Sequence, residues 1–313
     1  MILGVALGQA APVVVAVTDD SSGGAPSWPV ARAAARTAVR ACVAVDLSGV
    51  STAPVAAIRV GGPCPEALRP VVGSGVATIV RGGHSVTGRP LAPLDTEAVR
   101  RFAATCGLAD FAVTATGSPM LPEHELEVAA VIAAEAPGAR ITLSYEFGQP
   151  GLRERETDTI RNAALGPEAG RIADDVAREL PGVPAYFARS GSGLVSAHYF
   201  RRFPLVCDLG AAASLARGRA AAAAEVPDEV AAAFGAVLGR PEAQVERIVQ
   251  ARGRAELDRV LQDARDEALT RVVSAGAAPG SATIEETTVN PLSYLPDGLY
   301  RVRVTAGGLP WAG

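Results

Sequence analysis

The chain contains no lysine: all 29 of its basic residues are arginine. That excludes a lysine Schiff base, a lysine general base and the lysine of a Walker phosphate loop, and the pattern GxxxxGK[ST] is absent. Histidine is scarce as well. His84, His124 and His198 show no metal-ligand spacing, so a zinc centre is poorly supplied. Cys42, Cys64, Cys106 and Cys207 lie far apart without a C-x-x-C pair, and read as small buried hydrophobes of a reducing cytoplasm. No apolar run reaches the roughly 18–20 residues of a spanning helix. A net charge of −4 gives no electrostatic case for nucleic acid or an anionic membrane.

What is present is apolar: 49% of the 313 residues are hydrophobic, enough for one large or two ordinary α/β domains. The opening "MILGVALGQAAPVVVAVTDD" lacks the basic start of a secretion signal, since the first arginine is Arg32. It reads instead as two buried strands, Ile2–Leu7 and Val13–Val17, joined by a tight turn. "ARAAARTAVRACVAV" reads as a helix, and "CPEALRPVV" as a short one opened by Pro65. A β/α rhythm follows: strand Val76–Val80, a helix from Asp95 to Ala104, strand "FAVTA", a helix over Pro122–Ala136 and strand "RITLSY". "RERETDTIRNAAL" is a helix that Pro167 restarts, with a stripe of Ile172, Val176 and Leu180. Strand "VPAYFAR" and the turn "SGSG" come next, then an alanine-rich helix over Ala211–Ala224. Glu242–Ala275 is expected to be one long amphipathic helix. The chain ends in strands "TIEETTV" and "LYRVRV", with a turn at Pro296-Asp297-Gly298. Strands alternating with helices imply an α/β fold, a largely parallel sheet covered on both faces.

Several stretches resemble, in order and spacing, the hydantoinase A / 5-oxoprolinase / acetone carboxylase family. They are "GGHSVTGRPLAPLD", "PEHELEVAAVIAAEAPGARITLSYEFGQPGLRERETDTIRNAAL", "ARSGSGLVSAHYFRRFP" and the C-terminal "EALTRVVSAGAAPGSATIEETTVNPLSYLPDGLYRVRV". The resemblance implies a relative of the actin-like ATPases (sugar kinases, Hsp70, actin). It implies a mixed sheet flanked by helices, a first lobe at 1–210, and a remnant of the second lobe at 211–313 built from a long helix and a small sheet. In that family the first hairpin typically reads "GIDVGGTxTD" and grips nucleotide phosphates. Aligned here, Gly4 and Gly8 are kept, but the first aspartate is Ala6, the second glycine Gln9, the Thr-x-Thr Ala10-Ala11-Pro12 and the last aspartate Val13. Pro12 also removes a backbone donor. The second phosphate hairpin is missing, and the family's full-length members are about twice as long. The expectation is a degenerate chain without ATP-dependent chemistry and without a cofactor.

Polar residues at predicted strand ends are the candidates for chemistry. Glu146 closes "RITLSYE", with Tyr145 before it and Arg153, Glu154, Arg155 and Glu156 after it. A carboxylate beside arginines suits a general base, or the arginines hold an acidic substrate. The other reading is a solvated helix start laced by ion pairs. Arg189, Ser190, Ser192 and His198 follow the next strand; the turn is not GxSxG, and the family's amide-bearing Q-S-N here is Arg189-Ser190-Gly191. His84 sits on a glycine turn fit to line a pocket, while His124 reads as a first-turn helix residue. The candidates are thus Glu146, Arg155, His84 and His198 for catalysis, and Tyr145, Arg153, Arg189, Ser190 and Ser192 for substrate. Two functions fit. One is an ATP-independent enzyme on a small carbonyl, lactam or imide in specialised metabolism. The other is a non-catalytic subunit stabilising a B-type partner. The chain is expected to self-associate, as a homo-oligomer, or to form a hetero-complex with such a B-type subunit.

Overall fold

A computed structural model describes residues 1–8, 11–18, 21–25, 36–62, 65, 68–147, 151–191, 193–222, 225–293 and 298–311. The expected opening hairpin is present: β1 (Ile2–Leu7) and β2 (Val13–Thr18) pair antiparallel, Ile2 opposite Val17, and β3 (Ser21–Ala25) extends the ribbon. On the other side of β1 runs β4 (Arg40–Val45), parallel and buried. Here the structure overturns the expected helix over 31–45. Its last six residues form β4; residues 31–35 lie outside the described residues. Ala41–Val45 is a continuous apolar run, as a strand buried on both faces requires, and alanine's helix propensity yields to that burial.

Between β4 and the next strand of this sheet the chain builds a second sheet. β5 (Ala56–Val60), β6 (Val76–Val80), β7 (Asp110–Ala115) and β8 (Arg140–Leu143) are all parallel, in the order β6-β5-β7-β8. Of "CPEALRPVV", Cys64, Glu66 and Ala67 lie outside the described residues, and residues 69–72 form no helix, so the expected short helix is not found there. Helices α1 (Thr96–Thr105) and α2 (Glu123–Glu135) cover one face, burying Val99, Ala103, Val128 and Ile132 against Ile58, Phe111 and Val113. Asp95 caps α1, its carboxylate accepting the Ala98 N–H at 3.0 Å.

Helix α3 (Leu152–Glu179) ties the two sheets together. Ile160, Ala163 and Ala164 pack on Val55, Ala57 and Ala112, whereas Leu165, Ala169, Ile172 and Val176 pack on Leu3, Val43 and Phe187. Pro167 lies inside this helix rather than restarting it, because burial on two sheets carries the helix through the lost hydrogen bond.

The chain then re-enters the large sheet with β9 (Ala185–Ala188), parallel to β4, and β10 (Gly193–Ser196). Helices α4 (Ala197–Arg202), α5 (Gly210–Ala221) and α6 (Asp228–Val237) follow. The alanine-rich α5 meets α6 at near backbone contact: a Cβ on Gly218 or Gly235 would stand 1.8 Å from a carbonyl oxygen of the facing helix.

The expected helix over Glu242–Ala275 is two elements, β11 (Arg240–Gln250) and α7 (Arg254–Ser274). Val245, Ile248 and Val249 suit helical spacing, but Pro241, Ala243, Val245 and Val249 are the buried ones, which is the period of a strand. β11 pairs parallel with β10 only at Arg240 and Pro241, then antiparallel with β13 (Leu299–Gly307) along its whole length. β12 (Thr283–Pro291) forms the outer edge, so nine strands run β12-β13-β11-β10-β9-β4-β1-β2-β3 across residue 210. The expected turn at Pro296-Asp297-Gly298 lies largely outside the described residues.

Candidate functional site

In parallel sheets, ligands bind beyond the carboxyl ends of the strands, at the point where strand order reverses. In the small sheet β6 and β7 flank β5, so that point lies between β5 and β7. The residues there are Gly61, Gly82–His84, Thr116–Ser118 and Ser144–Phe147. His84 is 2% exposed; its N–H donates to the Thr116 carbonyl at 2.8 Å and its ring lies 4.2 Å from that of His124. His124 Nδ1 accepts the Gly83 N–H at 2.8 Å, while His84 Nδ1 is buried without a hydrogen-bond partner. Burial, then the neighbouring His124, pulls the His84 pKa below its ordinary value against the opposing pull of Glu123.

Beside this pair lies a polar network around Glu125, among the described residues the one carboxylate with no exposure. It accepts from the Ala115 N–H (2.7 Å), the Ser144 hydroxyl (2.5 Å) and the Tyr145 N–H (3.1 Å). Ser144 Oγ stands 3.2 Å from Ser118 Oγ. Arg155, 1% exposed, reaches in from α3 and donates to the Ala115 carbonyl at 2.9 Å and to both serines at 3.3 Å. The network also explains a difference from the sequence reading. β8 ends at Leu143, and Ser144–Phe147 form a single 3-10 turn because Glu125 takes the hydroxyl of Ser144 and the amide of Tyr145. Burial raises the Glu125 pKa above its ordinary value, against the pull of these hydrogen bonds.

Glu146 therefore sits in that turn rather than closing the strand. It is largely buried and paired with Arg202 of α4 at 2.9 Å. Burial raises its pKa, with Arg202 and then Arg271 opposing the rise. Tyr145, also shifted upward by burial, feels the same charges. Arg189 does not join this group directly: it pairs with Glu242 of β11 at 2.8 Å. Ser190 has a structural partner, its hydroxyl accepting the Leu209 N–H at 2.9 Å. Arg153 and His198 are exposed on α3 and α4, and Ser192 lies outside the described residues. Among the described residues no three His, Cys, Asp or Glu side chains form a group able to hold a metal ion, and no helix is long and apolar enough to cross a membrane.

A cleft of 390 Å³ opens where the small sheet meets the C-terminal part of the chain. Ser118, Met120 and Tyr145 line one wall; Arg247 and Val249 of β11 and Arg271 of α7 line the other. Arg247 and Arg271, at 2.6 Å in the second case, both hold the carboxylate of Glu267. Sequence reasoning missed Glu125, although Glu125, Val128 and Ile132 share one helical face and a carboxylate on an apolar stripe is a signal. It missed Arg247 because that segment read as helix. Two further cavities, of 560 and 570 Å³, flank Gly8 and Asp46 at the carboxyl ends of β1 and β4, next to the turn that resembles a phosphate hairpin.

Among solved structures the chain is similar to the ATP-dependent caprolactamase of Pseudomonas jessenii, with a TM-score of 0.58 and 16% identity over 70% of this chain and 40% of that one. It is also similar to nucleotide-free acetone carboxylase, with a TM-score of 0.54 and 12% identity over 99% of this chain and 48% of that one. It spans less than half the length of either. No protein-family model and no curated protein sequence matches it. The likeness establishes the fold: a mixed α/β architecture shared with these two enzymes, as the sequence motifs implied.

Proposed function

We propose that this chain is a shortened hydantoinase A-like protein that works without ATP, as an enzyme acting on a small carbonyl, lactam or imide in the 390 Å³ cleft. The family reading rests on the ordered motifs together with the shared fold. Independence from ATP rests on the replaced phosphate residues at Ala6, Gln9, Ala10-Ala11-Pro12 and Val13. The observation that carries the enzymatic reading is Glu146. It is a carboxylate shifted upward by burial, adjacent in the chain to Tyr145 on the cleft wall, and coupled to Arg271 on the opposite wall. A carboxyl group tuned upward is suited to proton transfer near neutrality. In this reading Glu146, behind the cleft wall, moves the proton, Tyr145 on the wall orients the carbonyl, and Arg202 opposes the rise in the Glu146 pKa.

The test is to incubate the protein with a panel of cyclic amides and imides, without nucleotide, and follow ring opening by mass spectrometry. Turnover by the wild type that Glu146→Gln loses while keeping its melting temperature supports the reading. Turnover only with ATP overturns it. A second reading, a non-catalytic subunit, draws on Leu309 and Trp311, apolar and 60% and 59% exposed on the C-terminal segment. The native mass of the protein recovered from its host cells separates the two: a stoichiometric partner favours the subunit, and a homo-oligomer favours the enzyme.

A further inference from the structure

The inner face of β11 carries one residue that does not belong in a core. Ala243, Val245 and Val249 of this face pack under Ala264, Ala268 and Val272 of α7, and all are buried. Between Val245 and Val249, at the same strand parity, stands Arg247. A valine there would extend the apolar contact, whereas the guanidinium loses hydration, and its pKa is lowered by burial and by the nearby charge of Arg271. Glu267 is shared by the two arginines. Asp263 opposes that fall in the Arg247 pKa, Glu246 holds Arg301 and Arg303 of β13, and Glu146 holds Arg202. Arg247 and Arg271 thus line the cavity as two guanidinium groups that share the single carboxylate of Glu267.

We propose that Arg247 and Arg271 form an anchoring subsite for the carboxylate of a small monoanionic ligand whose apolar body lies against Met120, Val249 and Val260. Guanidinium groups recognise carboxylates with paired N–H donors, and the half-buried setting strengthens the contact. The aliphatic lining matches a carbon skeleton rather than a bare phosphate. The subsite deepens the catalytic reading above: it holds the substrate in the cleft that Tyr145 faces.

Benzoate, with benzamide as its neutral isostere and inorganic phosphate as the competing anion, tests the assignment on the wild-type protein. Arginines are modified with phenylglyoxal and mapped by peptide mass spectrometry. Benzoate at about ten times its dissociation constant slows modification of Arg247 and Arg271 about tenfold. Arg254, on the exposed start of α7 with its side chain 95% exposed, keeps its rate. Arg247→Met, which suits the apolar face, weakens benzoate binding in calorimetry by about tenfold or more. Equal protection by benzamide, protection by phosphate alone, or equal slowing of Arg254 overturns the subsite. Protection without turnover of any cyclic amide removes the catalytic reading and leaves the subsite standing; turnover without protection does the reverse.

Discussion

Arg59 and Glu156, 97 residues apart in the chain, form a buried two-pronged ion pair that fastens β5 to the first turns of α3. Nε donates to Oε1 at 2.8 Å, Nη2 reaches Oε2, and Nη1 reaches the Leu68 carbonyl. The pair holds the helix that carries Arg155 against the strand behind the candidate site. Removing one partner strands the other charge out of water, so Arg59→Met alone is expected to cost about 3–5 kcal/mol in urea unfolding. The double variant Arg59→Met/Glu156→Leu recovers most of that loss. A single variant as stable as the double would count against the pair as a fastening.

Gly4 is kept from the resemblance to a phosphate hairpin, yet the structure gives it a packing role. A Cβ on Gly4 would stand 2.1 Å from the Ala233 carbonyl oxygen, because α6 lies directly on β1. Gly4→Ala is therefore expected to destabilise by about 1–3 kcal/mol. Gly170→Ala, on α3 with only the Arg201 guanidinium at 4.0 Å, is expected to stabilise by about 0.5–1 kcal/mol. Chemical denaturation of both variants reads the contrast, and a neutral Gly4→Ala would refute the close contact.

Glu125 predicts a dependence of stability on pH. Its folded-state pKa lies above the unfolded value, so the stability it contributes is complete below the unfolded carboxylate range and is lost as pH rises through the raised value. Glu125→Gln does not titrate. The stability of the wild type relative to Glu125→Gln should accordingly fall with rising pH across that window, in thermal melts at matched ionic strength. A difference that grows with pH would mean the Ser144, Ala115 and Tyr145 donors outweigh burial.

Arg202 is the nearest countercharge of Glu146. Arg202→Gln removes the pull that favours the ionised carboxylate, so the Glu146 titration midpoint moves further up. Carbon-13 carboxylate shifts across a pH titration report it directly. An unmoved midpoint would show that Arg271, not Arg202, governs this group, and any pH–rate profile would then be read through α7.

The parts of the fold that local pattern encodes were legible. The opening hairpin, Val76–Val80, the helix capped by Asp95 and the strand over Phe111–Ala115 follow from short-range periodicity and capping chemistry. The errors fell where a distant partner decides. Arg40–Val45 is a strand because β1 and β9 lie on either side of it. Arg240–Gln250 is a strand because residues 299–307 pair with it, and Val245 and Val249 satisfy both periods. Of the candidate site, the sequence singles out Tyr145, Glu146, Arg155 and His84 because they follow predicted strands or open a helix. Glu125, Ser118, Arg247 and Arg271 are not singled out, because their contacts exist only once distant segments are brought together.

The insertion of the small sheet between β4 and β9 has a consequence for the order of assembly. Strands β5 to β8 and their covering helices come from one uninterrupted stretch of chain, so their pairing needs only short loops to close. The large sheet must join residues 2–7 and 40–45 to 185–188, and then wait for 299–307 to dock on β11. A nascent chain can complete the small sheet long before its C-terminal strands leave the ribosome. The cleft draws one wall from each part, so it cannot exist until both are in place.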